Sequence, residues 1–253
     1  METTIQENTT PPAKASSNLP PSNLPHEVPV FRGEWDEEGV YVYQAYNDAI
    51  ADWALEHQTF GGPAWKPSRM TWIKPSFAWM LYRSGYGKKP GQERVLKIKL
   101  SHEAIAHLLS HCKLVNTNKD LKQTIESKGN NTTGRVQWDP ERDLFQSEKK
   151  EPRKMLRTRA IQIGLSGTLS EWYVGHIGSI EEVTDLAHTV RAAHALKKAD
   201  RTAVVMESIR SDLPNERPYL PLLSHEQLQN LALLPGLACD SVVRLGRGHA
   251  TVV

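Results

Sequence analysis

The alternating run Val95–Leu100 constrains the fold of this chain more than any other segment. Leu96, Ile98 and Leu100 fall on one side of an extended chain, and Lys97 and Lys99 fall on the other. This alternation predicts a strand with one buried face. Other short runs rich in β-branched, aromatic or alternating apolar residues predict further strands, at residues 40–43, 70–73, 135–138 (ended by Asp139-Pro140) and 159–165.

Segments with apolar residues at three- and four-residue steps separate these strands and predict helices. We expect helices from Asn47 or Asp48 to His57, after Pro75-Ser76 to Gly85, after Ser101 to Cys112, over Ile180–Lys198, and after Ser224, where Gln227 completes a capping box. Helices and strands are mixed without regular strand–helix–strand spacing. We therefore predict an α+β fold, a single domain whose mixed, mostly antiparallel sheet is flanked by helices.

The apolar sides of these elements predict the core. Its expected members are Val42, Ile50, Trp53, Leu96, Ile98, Leu100, Leu108, Ile161, Ile163 and Leu186.

The first 27 residues are dominated by Pro, Ser, Thr and Asn, which predicts a disordered tail before a single domain of residues 28–253. No window approaches 18 consecutive apolar residues, so we expect no membrane span. The start of the chain lacks the features of a signal peptide, which favours a cytoplasmic location. Two cysteines and scattered histidines predict neither a disulfide framework nor a metal site.

Basic side chains are concentrated in residues 69–99, where eight lysines and arginines accompany one acid, Glu93. Trp72, Trp79, Tyr82 and Tyr86 lie among them. Cations beside flat aromatic faces and a glycine-rich turn are typical of a site for a ligand that carries phosphate and a base. The residues of this segment that we assign to it are Trp72, Lys74, Arg83, Ser84, Gly85 and Tyr86. The alternative is a solvated basic loop with its tryptophans in the core.

A second basic cluster precedes the predicted strand 159–165 and comprises Lys149, Lys150, Arg153, Lys154, Arg157 and Arg159. Together with the first cluster it predicts one electropositive face for RNA or another polyanion, although a solvated loop has the same composition. The net charge of only +2 does not by itself indicate a nucleic-acid partner.

Several separate segments of the chain resemble the family labelled domain of unknown function 4291. They are Tyr43–Tyr46, Phe60–Gly62, Arg69–Gly85, Gln92-Glu93, Gln137–Pro140 and Arg159–Leu165. The resemblance covers about residues 28–198, and the block from Arg69 to Gly85 is its most specific part. Membership of this family does not imply a particular reaction.

The order of strand, helix and glycine is also similar to that of ADP-ribosyltransferase folds. This resemblance implies NAD as a possible substrate, a catalytic Arg69, the helix-ending glycine at Gly85, and a late catalytic acid at Glu181 or Glu182. We add Tyr43 and Gln44, on the first matching segment, to the ligand-binding residues. One departure is the sequence Gly175-His176-Ile177-Gly178, where the family has an acid and a tryptophan.

These observations favour a transferase that acts on an adenosine-ended polyanionic substrate, with ADP-ribosyl transfer from NAD as the first hypothesis. The alternative is an aminoacyl-tRNA-dependent enzyme similar to the fungal arginine-containing cyclodipeptide synthases, although their Asp-Asp-x-x-Glu motif is absent and Asp36-Glu37-Glu38 is a poor substitute. A further alternative is a non-catalytic RNA-binding module, which would show salt-dependent binding without turnover.

Overall fold

The computed structural model describes residues 28–115, 134–145, 155–196 and 199–233. The predicted N-terminal tail lies outside these residues, as do Lys149, Lys150, Arg153 and Lys154 of the second basic cluster. The strands are β1 (Val28–Pro29), β2 (Arg32–Gly33), β3 (Gly39–Tyr46), β4 (Thr71–Ile73), β5 (Arg94–Ser101), β6 (Cys112–Leu114), β7 (Gly134–Arg142), β8 (Met155–Leu165), β9 (Ile177–Glu182) and β10 (Arg217–Pro218). The α-helices are α1 (Asp48–His57), α2 (Phe77–Ser84), α3 (His102–Ser110), α4 (Thr168–Val174), α5 (Thr184–His194), α6 (Ala199–Ser208) and α7 (His225–Asn230).

Two main sheets and their flanking helices form one α+β domain, as predicted. The first sheet has the order β1-β8-β7-β6, and β4 also pairs with β8. Its pairs β7–β8 and β4–β8 are antiparallel, whereas β1–β8 and β6–β7 are parallel. The second sheet, β3-β5-β9, is antiparallel throughout. A short β2–β10 pair completes the strands.

Strand β5 is the centre of the second sheet and has the alternation that the sequence predicts. Ile98 is opposite Val42 on one side and Ile180 on the other, and it is fully buried. Lys97 and Lys99 point away from the core and form ion pairs, with Glu34 and with Asp36 and Glu38 respectively.

Side-chain caps fix the starts of the helices where the sequence places them. Asn47 accepts from the Ile50 N–H, Ser101 from the Ala104 N–H, and Ser224 forms the predicted capping box with Gln227.

Helix α2 is held at both ends. Its cap, Ser76, accepts from the Trp79 N–H and donates to the buried carboxylate of Glu141, while the Phe77 N–H donates to Glu216 at 2.6 Å. The helix ends at Gly85, in the left-handed conformation that favours glycine.

Most of the predicted core is buried. Val42, Leu96, Ile98, Leu100, Leu108, Ile161 and Ile163 lie in the main core cluster, whereas Ile50, Trp53 and Leu186 are only half-buried. A second cluster, which includes Tyr43, Phe77 and Tyr86, packs around α2 and α5.

Several predicted elements differ in extent. The strands predicted at 40–43 and 159–165 are longer, at Gly39–Tyr46 and Met155–Leu165, and the helix predicted to reach Cys112 ends at Ser110 because Cys112 begins β6. The helix expected over Ile180–Lys198 begins only at Thr184, because residues 177–182 form β9 against β5. The strand expected to end at Asp139-Pro140 continues to Arg142, with an irregularity in register between Pro140 and Arg142.

Candidate functional site

A cleft of about 950 Å³ opens where the two main sheets meet, and we call it the main cleft. β3 contributes residues from the second sheet, and β4, β7 and β8 contribute residues from the first. Helix α2 and residues 64–70 close the sides. The volume lies within the range of ligand-binding pockets in proteins.

The backbone of Lys74 joins the two sheets at the floor of this cleft. The Tyr43 N–H donates to the Lys74 carbonyl oxygen at 2.7 Å, and the Lys74 N–H donates to the Tyr43 carbonyl oxygen at 3.2 Å. These two bonds fix the position of Lys74 immediately after β4.

The amine of Lys74 is buried and has an unusual environment. Only 5% of the residue is exposed; Nζ donates to the Trp72 carbonyl oxygen at 3.2 Å and lies 5.1 Å from the centre of the Trp79 ring. Burial, and then the positive charge of Arg83, lowers the pKa of Lys74 to about 7, against a smaller opposing effect of Asp139. A large fraction of this amine is therefore neutral at physiological pH.

Among the described residues that line the main cleft, Asp139 is the only acid. It is on β7 two residues after Gln137, which is opposite Gln162 on β8. Both amides donate to its carboxylate, Gln137 Nε2 to Oδ1 at 3.0 Å and Gln162 Nε2 to Oδ2. Burial raises the pKa of Asp139, while the Gln137 hydrogen bond and then the charges of Lys74, Arg159 and Arg83 oppose that rise.

Three further cations line the cleft, and they differ from Lys74 in being exposed. Lys66 and Arg69 come from the segment before β4, and Arg83 from the last turn of α2. None of them forms an ion pair with another described residue, so each can receive an anionic ligand.

The indole rings of the cleft are held in place by neighbouring rings and strands. Trp65 stacks on Phe60 with ring centres 4.9 Å apart and meets Tyr46 edge-on at 5.7 Å. Trp72 is opposite Gly164 on β8, where a Cβ atom would lie 2.8 Å from the indole. A side chain at Gly164 would therefore displace Trp72.

The side chain of Gln44 forms hydrogen bonds within the wall of the cleft. Its amide Nε2 donates to Thr71 Oγ1 at 2.6 Å and to the Tyr46 hydroxyl at 2.9 Å, and its Oε1 accepts from the Tyr173 hydroxyl at 2.8 Å. Because both ends of the amide are occupied, Gln44 positions β3 against β4.

The structure brings together part of the predicted site. The predicted residues that line the main cleft are Gln44, Arg69, Trp72, Lys74 and Arg83. Gly85 lines an adjoining cavity together with Tyr82, Arg83, Lys88 and Lys89.

The other predicted residues line neither cavity. Tyr43 and Tyr86 are buried in the second core cluster, and the hydroxyl of Ser84 donates to the Met80 carbonyl oxygen within α2. Glu181 and Glu182 lie on β9. Glu182 holds Arg94 in a bidentate ion pair at 2.5 and 2.6 Å, and this pairing lowers the pKa of Glu182.

The basic residues of segment 69–99 divide into two groups. Arg94, Lys97 and Lys99 are paired with acids and line neither cavity. The others, which we call the cleft cations, line at least one of the two cavities: Arg69, Lys74, Arg83, Lys88 and Lys89.

Sequence reasoning missed the group formed by Asp139, Gln137 and Gln162. The signal was present, because these residues lie in two of the segments on which the family resemblance rests. Those segments are far apart in the chain, but they meet along the β7–β8 pair and line the same cleft as Arg69–Gly85.

The chain matches the family described as Domain of unknown function (DUF4291) over residues 30–219. It belongs to this family. The match extends past the predicted boundary near residue 198 and includes β10. No curated protein matches the chain.

Two features of the described residues bear on the class of site. They contain no group of three or more His, Cys, Asp or Glu side chains placed to hold a metal ion. None of their helices has the length and apolar character that crossing a membrane requires.

Proposed function

We propose that this protein is a transferase that binds an adenosine-ended polyanionic substrate in the main cleft. The observation that carries the proposal is the composition of that cleft. Among its described residues, the exposed Arg69 and Arg83 accompany the indole of Trp72 and a single acid. Arginine recognises phosphate through charge-assisted hydrogen bonds, and an indole provides a stacking surface for a base.

The burial of Lys74 assigns it a different role from the arginines. A buried amine with a pKa of about 7 is suited to accept a proton during group transfer rather than to hold a phosphate. In this proposal Asp139, which two glutamine amides hold in position, orients a positively charged group of the substrate or of the acceptor.

The first candidate reaction is ADP-ribosyl transfer from NAD. The N-glycosidic bond to nicotinamide breaks, the anomeric carbon bonds to the acceptor heteroatom, and Lys74 takes up the acceptor's proton. The fold-order resemblance assigned the late acid to Glu181 or Glu182. The acid that lines the main cleft is Asp139, and in this proposal Asp139 stabilises the positive charge that develops on the ribose.

The second candidate is aminoacyl transfer from tRNA with formation of an amide. It is favoured by the neutral amine of Lys74 in the same cleft as the carboxylate of Asp139. The ester bond to the terminal ribose breaks, the incoming amine bonds to the acyl carbon, and the ribose hydroxyl leaves with a proton. Lys74 would remove the proton from the attacking ammonium group.

A thermal-shift measurement with NAD, ATP and bulk tRNA tests the proposal, because a ligand that binds only the folded state raises the melting temperature. We expect at least one of these to raise it, and Arg69→Ala to weaken that binding by about 1.5–3 kcal/mol without unfolding the protein. Arg191→Ala is the matched control, since Arg191 is exposed and lines neither cavity.

Turnover assays then separate the two reactions. Release of nicotinamide from NAD identifies the first, and loss of the aminoacyl group from charged tRNA identifies the second. If none of the three ligands shifts the melting temperature, or if Arg69→Ala leaves the shift unchanged, the proposal is wrong. Binding of tRNA without turnover of NAD or of charged tRNA would instead indicate the non-catalytic RNA-binding module.

A further inference from the structure

A second cavity of about 580 Å³ adjoins the main cleft, and we call it the side cavity. It is lined by Tyr82, Arg83, Gly85, Lys88 and Lys89. Arg83 lines both cavities, so a ligand that occupies both passes this guanidinium.

The turn after α2 presents the lysines of the side cavity. Gly85, Tyr86 and Gly87 all have positive φ, and Gly87 has no room for a side chain because its Cβ would lie 2.8 Å from the Glu93 carbonyl oxygen. The N–H groups of this turn are already used, for example Lys89 N–H to the Ser84 carbonyl oxygen at 3.0 Å. A ligand in the side cavity would therefore be held by side chains.

Lys88 and Lys89 are exposed and have no ion-pair partner among the described residues. Lys97 and Lys99, only a few residues later, are both neutralised by acids. The charges of the turn are thus left available to an outside anion.

The side cavity also contains an aromatic ring. The guanidinium of Arg142 lies over one face of the Tyr82 ring, 4.0 Å from its centre, and Trp79 meets the ring edge-on at 6.5 Å. A base at this ring would therefore join an existing group of aromatic and cationic side chains. Basic side chains that follow a backbone and aromatic rings that receive bases are the two features by which proteins bind single-stranded nucleic acids.

We propose that the substrate is a single-stranded oligonucleotide whose terminal adenosine occupies the main cleft and whose preceding nucleotide occupies the side cavity. The phosphodiester between them would lie at Arg83, and the next two phosphates of the strand would lie at Lys88 and Lys89, one at each lysine. This inference rests on the proposed function and narrows it to the nucleic-acid substrate of the second candidate reaction.

The salt dependence of binding gives a quantitative expectation. Each phosphate neutralised on a single strand adds about 0.7 to the slope of log affinity against log salt concentration. Replacing Lys88 and Lys89 by alanine should therefore reduce the slope by about 1.4. Between about 50 and 200 mM salt, the wild-type affinity should fall about sevenfold more than that of the variant.

The experiment uses fluorescence anisotropy with a 5′-labelled RNA of about four nucleotides that ends in adenosine, and AMP as an unlabelled competitor. We expect the RNA to bind more tightly than AMP. The Lys88→Ala/Lys89→Ala variant should lose affinity and salt slope for the RNA while its affinity for AMP stays the same. The control, Lys113→Ala/Arg191→Ala, removes two exposed charges that line neither cavity and should behave as wild type.

The outcomes separate this inference from the proposed function. If AMP binds and Arg69→Ala weakens it, but the RNA binds no more tightly than AMP or the lysine variant keeps the wild-type salt slope, the inference is wrong and the proposed function stands. If Arg69→Ala affects neither ligand, both are wrong. Wild-type slopes for AMP and RNA that differ by less than 0.7 also overturn the inference, and this comparison does not depend on any variant.

Discussion

Replacing Lys74 by methionine should make the protein more stable at neutral pH and should change how stability depends on pH. Methionine keeps most of the apolar stem that packs in the cleft floor and removes the amine. In the described part of the chain this amine has no ion-pair partner to offset its burial. The cost of charging it is therefore a cost to the folded state.

The size of this cost follows from the pKa of Lys74, which falls from 10.5 in the unfolded chain to about 7 in the folded protein. Above pH 10.5 the amine is neutral in both states, and no stability is lost. As the pH falls towards 7 the unfolded chain binds the proton first, and stability decreases by about 1.4 kcal/mol per pH unit. Below pH 7 the loss is complete, at about 5 kcal/mol.

Urea unfolding at pH 7 and pH 9 measures this effect. From pH 7 to pH 9 we expect the free energy of unfolding of the wild-type protein to rise by about 2 kcal/mol relative to that of Lys74→Met. Lys89→Met, which removes an exposed lysine, controls for the loss of one charge. If the free energy of unfolding changes by the same amount between the two pH values in wild type and in Lys74→Met, the pKa of Lys74 is not lowered as we describe.

Three further substitutions test other parts of the structure. Ile98→Ala removes a fully buried side chain at the centre of β5 and should cost about 2–5 kcal/mol in urea unfolding; a cost near zero would contradict its central position. Burial and the nearby carboxylate of Glu141 raise the pKa of Glu216 to about 8, so folding loses stability as the pH rises from about 4.5 to 8. Glu216→Gln should therefore raise the melting temperature more at pH 8 than at pH 5, and parallel curves for the two proteins would refute this. Glu182→Gln weakens the ion pair with Arg94 and should cost about 1 kcal/mol while ligand affinity in the main cleft stays unchanged. Loss of ligand affinity without loss of stability would contradict this and would indicate that Glu182 takes part in ligand binding.

Local sequence patterns were sufficient to predict the parts of the fold that depend on neighbouring residues. The alternation of Val95–Leu100 predicts β5, and the caps at Asn47, Ser101 and Ser224 predict where three helices start. Each cap is a hydrogen bond between residues three apart in the chain, and the strand needs only alternate side chains to be buried. Both features can be read from neighbouring residues.

Long-range pairing explains the errors. Val183, Ala187 and Val190 have helical spacing, and extending that pattern backwards to Ile180 includes a segment that pairs with β5 instead. Pro140 is tolerated inside β7 because β6 pairs only with residues 134–136, which leaves that part of β7 at an edge. The sequence contains no local sign of either pairing.

The candidate site was predicted in composition but not in arrangement. Arg69, Arg83 and Trp72 line the main cleft as expected, whereas Lys74 is buried there and loses much of its charge. Asp139 was interpreted as part of a turn, since Asp-Pro is typical of turns. Only the pairing of β7 with β8 places its carboxylate beside two glutamines.

The separation of cleft cations from paired cations has a kinetic consequence. Acids neutralise Arg94, Lys97 and Lys99, whereas the exposed cations around the two cavities have no acid partner in the described ranges. A net charge of only +2 therefore conceals an uneven distribution of charge. The field of such a distribution accelerates diffusional encounter with an anion and orients it before contact. The association rate constant of the ligand should therefore decrease steeply with ionic strength, while its dissociation rate constant changes much less.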